Sequence, residues 1–284
     1  MNFKSIMDEI EKADPEVYEK LSDRRHILQS FGSKVAVAAL PIALGSMFKK
    51  AYGKSTSAIT DVLQFALTLE YLEYNFYYRA NQVAATLIPS TDKDSFTTIE
   101  AHEQEHITFL KSTITSLGVT PYTPNGTAMG DYYVTGYDFT TKFPAVFTDY
   151  PTFLAVSQTF EDTGVRAYKG QAGALQSNLN VLTAALQIHS VEARHASHVR
   201  NIRRRAGYKD TNAMVPAPWI TGAIAPVGAV DNNYAGEDTT MQLSVNVLTL
   251  PAITGTTSVS TATEAFDEPL TMAQVNTLVG PFIK

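Results

Sequence analysis

Two Glu-x-x-His motifs carry the clearest chemical signal in this 284-residue sequence. The first joins Glu103 to His106, and the second joins Glu192 to His195. Residues three positions apart share one face of a helix, so a carboxylate and an imidazole in this motif can bind one metal ion or neighbouring ions. A single motif arises easily by chance in a helix rich in glutamate. The pair predicts a metal site only if other ligands accompany it.

Two more glutamates lie inside apolar helical stretches, Glu70 in LTLEYLE and Glu161 in QTFEDTG. Burying a glutamate is costly unless a cation or protons compensate its charge, so both positions indicate a partner. The midpoint between Glu70 and Glu103 falls at a predicted short turn, as does the midpoint between Glu161 and Glu192. Each pair therefore comes level across its own antiparallel helical hairpin.

A tyrosine follows each of these glutamates by seven residues, Tyr77 after Glu70 and Tyr168 after Glu161. Seven residues are two helical turns, so each tyrosine is expected on the face of its glutamate. The repeat relates the first two helices to the last two. Ligands arranged with approximate twofold symmetry would produce such a repeat.

Four helices must position these residues, and helical periodicity with start and stop signals predicts them between residues 56 and 206. They are expected from Ser57 to Leu87, from an N-cap at Ser90 or Thr91 to Leu117, from about Pro151 to Gly170, and from Gln176 to Arg205. About thirty residues rich in proline and glycine separate the second helix from the third, too many for a hairpin turn. A crossover of this length carries the chain back along the bundle, so these two helices are expected to be parallel.

The ligand pattern over residues 56 to 206 resembles the di-iron ligand set of the ferritin, bacterioferritin and rubrerythrin superfamily. The segments LEYLEYNFYYRA, FEDTGVRAYKG and AFDEPL are more similar to the ferritin-like branch that includes plant desiccation-related proteins. The resemblance implies an all-α core, a ferritin-like up-down-down-up four-helix bundle with a long crossover between helices 2 and 3. An N-terminal helical arm and an irregular C-terminal extension with minor β structure are expected around it.

The same resemblance implies a role for each site residue. Glu70 and Glu161 would each bind one metal terminally, and Glu103 and Glu192 would bridge the two metals. His106 and His195 would each complete one position, a ligand set suited to two iron ions or, alternatively, manganese. Tyr77 and Tyr168 would serve beside the metals as hydrogen-bond donors or electron sources, with aromatic core packing as the alternative for each.

The remaining polar residues of the helices are predicted to face solvent, although some could lie behind the ligands or along a metal entry path. They are Glu73, Glu100, His102, Glu105, His189 and His198. The basic run Arg200, Arg203, Arg204 and Arg205 is predicted to form a solvated last turn of the fourth helix.

The composition excludes several classes of site and partner. The chain has no cysteine, which excludes disulfides, zinc-thiolate sites, iron-sulfur clusters and thiol nucleophiles. A net charge of −6 gives no general attraction to nucleic acid, and no apolar run is long enough to predict a transmembrane segment.

The chain is predicted to comprise an N-terminal arm or signal-like segment (residues 1–54), the bundle (55–206) and a wrapping extension (207–284). Arg24 and Arg25 begin a segment that resembles a twin-arginine signal, which leaves exported and cytoplasmic locations both open. In the extension, alternation from Met241 to Val247 predicts a strand, and a short helix is expected after Thr271.

The leading functional hypothesis is oxidative di-iron chemistry with dioxygen or hydrogen peroxide, as in a ferroxidase or a peroxide-consuming oxidoreductase. One alternative is a stress or surface scaffold of the desiccation-related kind, with a structural metal or none. Another is a di-manganese catalase. A homo-oligomer is compatible with each of them.

Overall fold

The computed structural model describes residues 56–126, 132–227, 231–250 and 258–284. Four long helices form the core of this part of the chain: α1 (Thr56–Tyr78), α2 (Lys93–Ser116), α3 (Tyr150–Gln171) and α4 (Leu179–Arg205). α1 packs mainly on α2, and α3 packs mainly on α4. The structure confirms the predicted helical bundle with two hairpins.

The first hairpin turns through a π-helical segment, Arg79–Val83, that follows α1 directly. Asn81 in this segment donates to the carbonyl of Phe96 in the first turn of α2. The N-cap of α2 is Asp92, so the predicted caps Ser90 and Thr91 are wrong. The Asp92 carboxylate accepts the hydroxyl of Tyr150 at 2.8 Å instead of capping its own helix. That bond places the start of α3 beside the start of α2, as parallel helices require.

The second hairpin has caps that the sequence pattern partly anticipates. Asp149 accepts the backbone N–H of Thr152, and Pro151 lies in the first turn of α3. Asn178 caps α4 in the same way through the N–H of Val181. α4 begins at Leu179 rather than at the predicted Gln176, because residues Ala172–Leu175 form a separate 3₁₀ turn.

The crossover between α2 and α3 lies along α1. Gln64 donates to the carbonyl of Thr120 at 2.7 Å, and eleven positions later Asn75 accepts the N–H of Val134 at 2.8 Å. Further along, the rings of Phe76 and Phe139 lie 5.3 Å apart. These contacts carry the chain from the end of α2 back to the end where α3 starts.

One buried arginine of α3 bonds several of the C-terminal residues. Arg166 donates to the backbone carbonyls of Asn233, Ala235 and Glu268, and it pairs with the Glu237 carboxylate at 2.7 Å. Two short helices follow, α5 (Val259–Glu264) and α6 (Met272–Val279). Thr271 closes a capping box at the start of α6, where a helix is predicted.

The strand predicted from Met241 to Val247 is wrong as a single strand. Two two-residue strands, β1 (Met241–Gln242) and β2 (Val245–Asn246), pair antiparallel across a tight turn. Leu243 in that turn has a φ of 54°, which reverses the chain in the middle of the alternating pattern.

The predicted solvated run of arginines is also wrong for its first half. Arg200 and Arg203 are buried, and their guanidinium groups pair with Asp162 of α3 and with Asp210. Arg203 also donates to the side chain of Gln158 at 2.6 Å. The second half of the run, Arg204 and Arg205, is exposed as predicted.

The predicted N-terminal arm or signal-like segment, with Arg24 and Arg25, lies outside the described residues, so the predicted domain boundaries stay a prediction. Among the helices described, none combines the length and the apolar character that a bilayer crossing needs.

Candidate metal centre

All six predicted ligands meet in the middle of the bundle. Each long helix supplies a glutamate, and Glu70, Glu103, Glu161 and Glu192 are all 0% exposed. The two histidines come from α2 and α4 and are 9% and 5% exposed for His106 and His195. Four carboxylates this deeply buried would repel one another strongly without cations or protons between them.

The first group of donor atoms surrounds Nδ1 of His106. This nitrogen lies 3.0 Å from Oε2 of Glu70, 3.1 Å from Oε2 of Glu103 and 3.2 Å from Oε1 of Glu192. One donor atom from each of these residues can be chosen so that all lie within 4.8 Å of one another.

The second group surrounds Nδ1 of His195 in the same manner. Oε1 of Glu103 lies 3.0 Å away, Oε2 of Glu161 lies 3.3 Å away and Oε2 of Glu192 lies 3.7 Å away. Glu103 and Glu192 belong to both groups, and each directs one carboxylate oxygen to each histidine. Carboxylates placed in this way can bridge two metal ions.

Several of these buried atoms have no hydrogen-bond partner within the described part of the chain. They are Oε1 of Glu103, Oε2 of Glu161, both carboxylate oxygens of Glu192 and Nδ1 of His195. Orphaned acceptors that converge on one point fit a bound cation, and a set of oxygen and imidazole donors suits iron or manganese. The residues present therefore fit a di-metal centre.

The pKa values separate the outer carboxylates, which belong to one group each, from the shared carboxylates, which belong to both groups. Burial raises the pKa of the outer carboxylates, Glu70 and Glu161, to about 8. Although burial opposes it, the two nearby histidines lower the pKa of the shared carboxylates, Glu103 and Glu192.

The histidines respond to the same carboxylates. Burial alone would lower the pKa of an imidazole, but the surrounding glutamates raise the pKa of both His106 and His195 well above the ordinary value. The metal-free cluster therefore holds protons that a metal ion must displace.

The tyrosines reach across the bundle rather than along their own helices. Tyr77 of α1 donates its hydroxyl to Glu161 of α3, and Tyr168 of α3 donates to Glu70 of α1. Both side chains are buried beside the outer carboxylates. Their placement agrees with the hydrogen-bond role implied by the resemblance, whereas a role as electron source stays a prediction.

Glu73 is not the exposed residue that the sequence predicts, because it is only 4% exposed and lies next to the cluster. Burial, followed by repulsion from Glu192, raises its pKa well above the ordinary value. A Cβ atom built on Gly164 of α3 would lie 3.1 Å from Oε1 of Glu73. Glu73 follows Glu70 by three positions, and Gly164 follows Glu161 by three. In the repeat, Gly164 is therefore the counterpart of Glu73, and its missing side chain leaves space for the Glu73 carboxylate.

Of the other five residues predicted to lie on the surface, three are exposed and two are half-buried. Glu105, His102 and His198 are exposed, and His198 contacts the Ser95 hydroxyl at 2.8 Å. His189 and Glu100 are half-buried instead of exposed. Asn81 of the π-helical turn covers Glu100 and donates to its carboxylate at 2.8 Å.

Comparison with known proteins agrees with this architecture. A family model described as a ferritin-like domain matches residues 58–205, more than half of the chain. No curated protein is found to match the chain. The matched region holds α2, α3, α4 and all six clustered ligands. The chain belongs to the ferritin-like domain family.

Proposed function

We propose that this protein binds two iron ions in the bundle and oxidises them with dioxygen or hydrogen peroxide. The observation that carries the proposal is the arrangement of Glu103 and Glu192, each with one oxygen directed to each histidine. Glu70 and His106 would complete one position, and Glu161 and His195 the other. Four ionised carboxylates balance the charge of two divalent ions.

Iron would supply the redox chemistry. Two ferrous ions would supply two electrons, which with two protons would convert one dioxygen to hydrogen peroxide, or one hydrogen peroxide to two waters. The iron is the substrate in a ferroxidase and a resident centre in a peroxide-consuming enzyme.

The protein's own side chains would bind the metal ions, orient the ligands and shield the site from water. The hydroxyls of Tyr77 and Tyr168 hold the outer carboxylates in place by hydrogen bonds. Buried aromatic rings exclude water on one side, since Tyr77 packs on Phe96 and Phe153. In the metal-free protein the outer glutamates, with a pKa of about 8, hold protons at neutral pH, and incoming metal ions would displace these protons.

The test uses full-length protein stripped of metal and loaded anaerobically with two ferrous ions per chain. When this protein is mixed with dioxygen or peroxide, the ultraviolet absorbance of ferric iron should then appear. Glu103→Ala should abolish this signal, because it removes a ligand from both positions. Glu105→Ala, an exposed glutamate on the same helix, is the matched control and should behave as the wild type. Loaded protein that stays ferrous would contradict the proposal.

A di-manganese centre is the second candidate, because the same oxygen and imidazole donors serve manganese. Manganese-loaded protein would then release dioxygen from hydrogen peroxide. A protein that binds either metal, gains stability and shows neither activity would support the scaffold hypothesis instead. Elemental analysis of protein from its native host decides which metal is present.

A further inference from the structure

His102 touches one of the two ligand histidines. It lies on α2 directly before Glu103, and its Nδ1 is 2.9 Å from Nε2 of His195 on α4. The two imidazole planes lie within 11° of parallel. This is the arrangement of an N–H···N hydrogen bond between rings, with His102 on the solvent side.

The contact bears on which nitrogen of His195 is free for a metal. Nδ1 of His195 faces Glu103, Glu161 and Glu192 and has no hydrogen-bond partner within the described residues. A metal needs the lone pair of that nitrogen, so the single proton of the neutral ring must be on Nε2. Nδ1 of His102 accepts that proton in a hydrogen bond and so favours the form of His195 that is ready to bind metal.

Among the described residues, the second half of the repeat has no equivalent of this contact. The residue before Glu192, at the position that corresponds to His102, is Val191. A valine side chain has no atom that could accept a hydrogen bond from His106. The two metal positions, although similar in their ligands, therefore differ in the support behind their histidines.

We infer that His102 is a positioning residue that orients His195 and makes its metal position the tighter of the two. The inference rests on the proposed di-metal function. Loss of a partner behind a histidine ligand typically weakens metal affinity by about 10- to 100-fold. Because His102 is exposed, its replacement should disturb the packing of the core very little.

Cobalt(II) is a suitable probe, since its visible absorbance and its heat of binding both report each ion bound. Metal-free wild-type protein should bind two cobalt ions in two resolved steps. His102→Ala should weaken the tighter step about 10- to 100-fold and leave the weaker step unchanged. His102→Asn should restore the tighter step, because an asparagine Oδ1 can take the place of the histidine Nδ1 as acceptor.

His198→Ala is the matched control, because it removes an exposed histidine that contacts Ser95 rather than a ligand. It should bind cobalt as the wild type does. The inference fails alone if wild-type protein binds two ions and His102→Ala binds them equally well, if both steps weaken equally, or if His102→Asn is no better than His102→Ala. If wild-type protein binds no cobalt, manganese or iron, the proposed function and the inference fall together.

Discussion

Single residues break the twofold symmetry of the metal centre in two places. His102 corresponds to Val191, and Glu73 corresponds to Gly164. In the second case the two partners meet, since the missing side chain at Gly164 leaves the space that the Glu73 carboxylate occupies. One half of the site thus carries an additional buried carboxylate, and the other half accommodates it.

Gly164→Ala tests this fit. The new Cβ would lie 3.1 Å from Oε1 of Glu73, so this buried carboxylate must shift by a few tenths of an ångström, whereas the 3.6 Å distance to Oε2 of Glu192 is an ordinary contact. We expect the free energy of unfolding to fall by about 1–3 kcal/mol and the metal affinity to fall with it. Urea unfolding and cobalt titration measure the two effects.

Gly173→Ala is the control for that substitution, because nothing lies within 4 Å of its Cβ position. It should leave both quantities near the wild-type values. Adding Glu73→Ala to Gly164→Ala should recover part of the loss, since the crowded carboxylate is gone. If the stability loss of the double variant equals the sum of the losses of the two single variants, the two residues do not crowd each other directly.

At the scale of helices, the sequence alone predicts which glutamates come level. Antiparallel hairpins with short turns fix the register of Glu70 with Glu103 and of Glu161 with Glu192, so spacing was sufficient. Contacts between helices that are distant in sequence were not predictable in this way. Tyr77 and Tyr168 bond the glutamate of the opposite half, a choice set by how α1 packs on α3.

The same limit explains the wrong predictions for charged residues. Arg200 and Arg203 look like a solvated helix end until α3 and the C-terminal extension supply Asp162 and Asp210. Periodicity likewise predicts an exposed Glu73, whereas the space opposite it at Gly164 of α3 lets this side chain be buried. Burial of a long polar side chain depends on elements far away in the chain, and local periodicity carries no information about them.

Gly170 is a point of close approach between α3 and the extension. A Cβ atom there would overlap the backbone carbonyl of Leu270, whose own N–H donates to the carbonyl of Arg166. Because the obstacle is backbone rather than a flexible side chain, Gly170→Ala should push the extension away from α3. We expect a loss of about 1–3 kcal/mol in the free energy of unfolding and faster proteolysis after residue 207.

Matched measurements separate this effect from damage to the metal centre. Cobalt binding to Gly170→Ala should stay at two ions per chain, because the substitution lies two residues beyond Tyr168 and outside the ligand cluster. Gly173→Ala again serves as the neutral control. Unchanged proteolysis of the extension in Gly170→Ala would show that this contact does not hold it.

For the whole molecule, the metal centre links folding to pH. The folded metal-free protein holds protons on Glu70 and Glu161, whose pKa is about 8 against 4.5 for an ordinary glutamate. The raised pKa of His106 and His195 adds protons above the ordinary value of 6.5. A folded state that binds more protons than the unfolded state loses stability as pH rises.

The lowered pKa of Glu103 and Glu192 has the opposite sign, but it acts only below their ordinary value. Between about pH 5 and 8 the free energy of unfolding of metal-free protein should therefore decrease with pH, by about 1.4 kcal/mol per pH unit for each extra proton held. Urea unfolding across this range measures the slope. The double variant Glu70→Gln with Glu161→Gln should flatten it, because two of the titrating groups are gone.

Bound metal should reverse this dependence. Metal ions displace the protons, so their affinity rises with pH, and a ligand that binds only the folded state stabilises it by about 2.7 kcal/mol at a hundredfold excess over its Kd. Protein with two manganese or cobalt ions should therefore become more stable from about pH 5 to 8 while the metal-free protein becomes less stable. Two parallel pH profiles would show that the buried cluster does not exchange protons for metal. Diverging profiles would tie the cost of burying six ionisable groups to the ions that they bind.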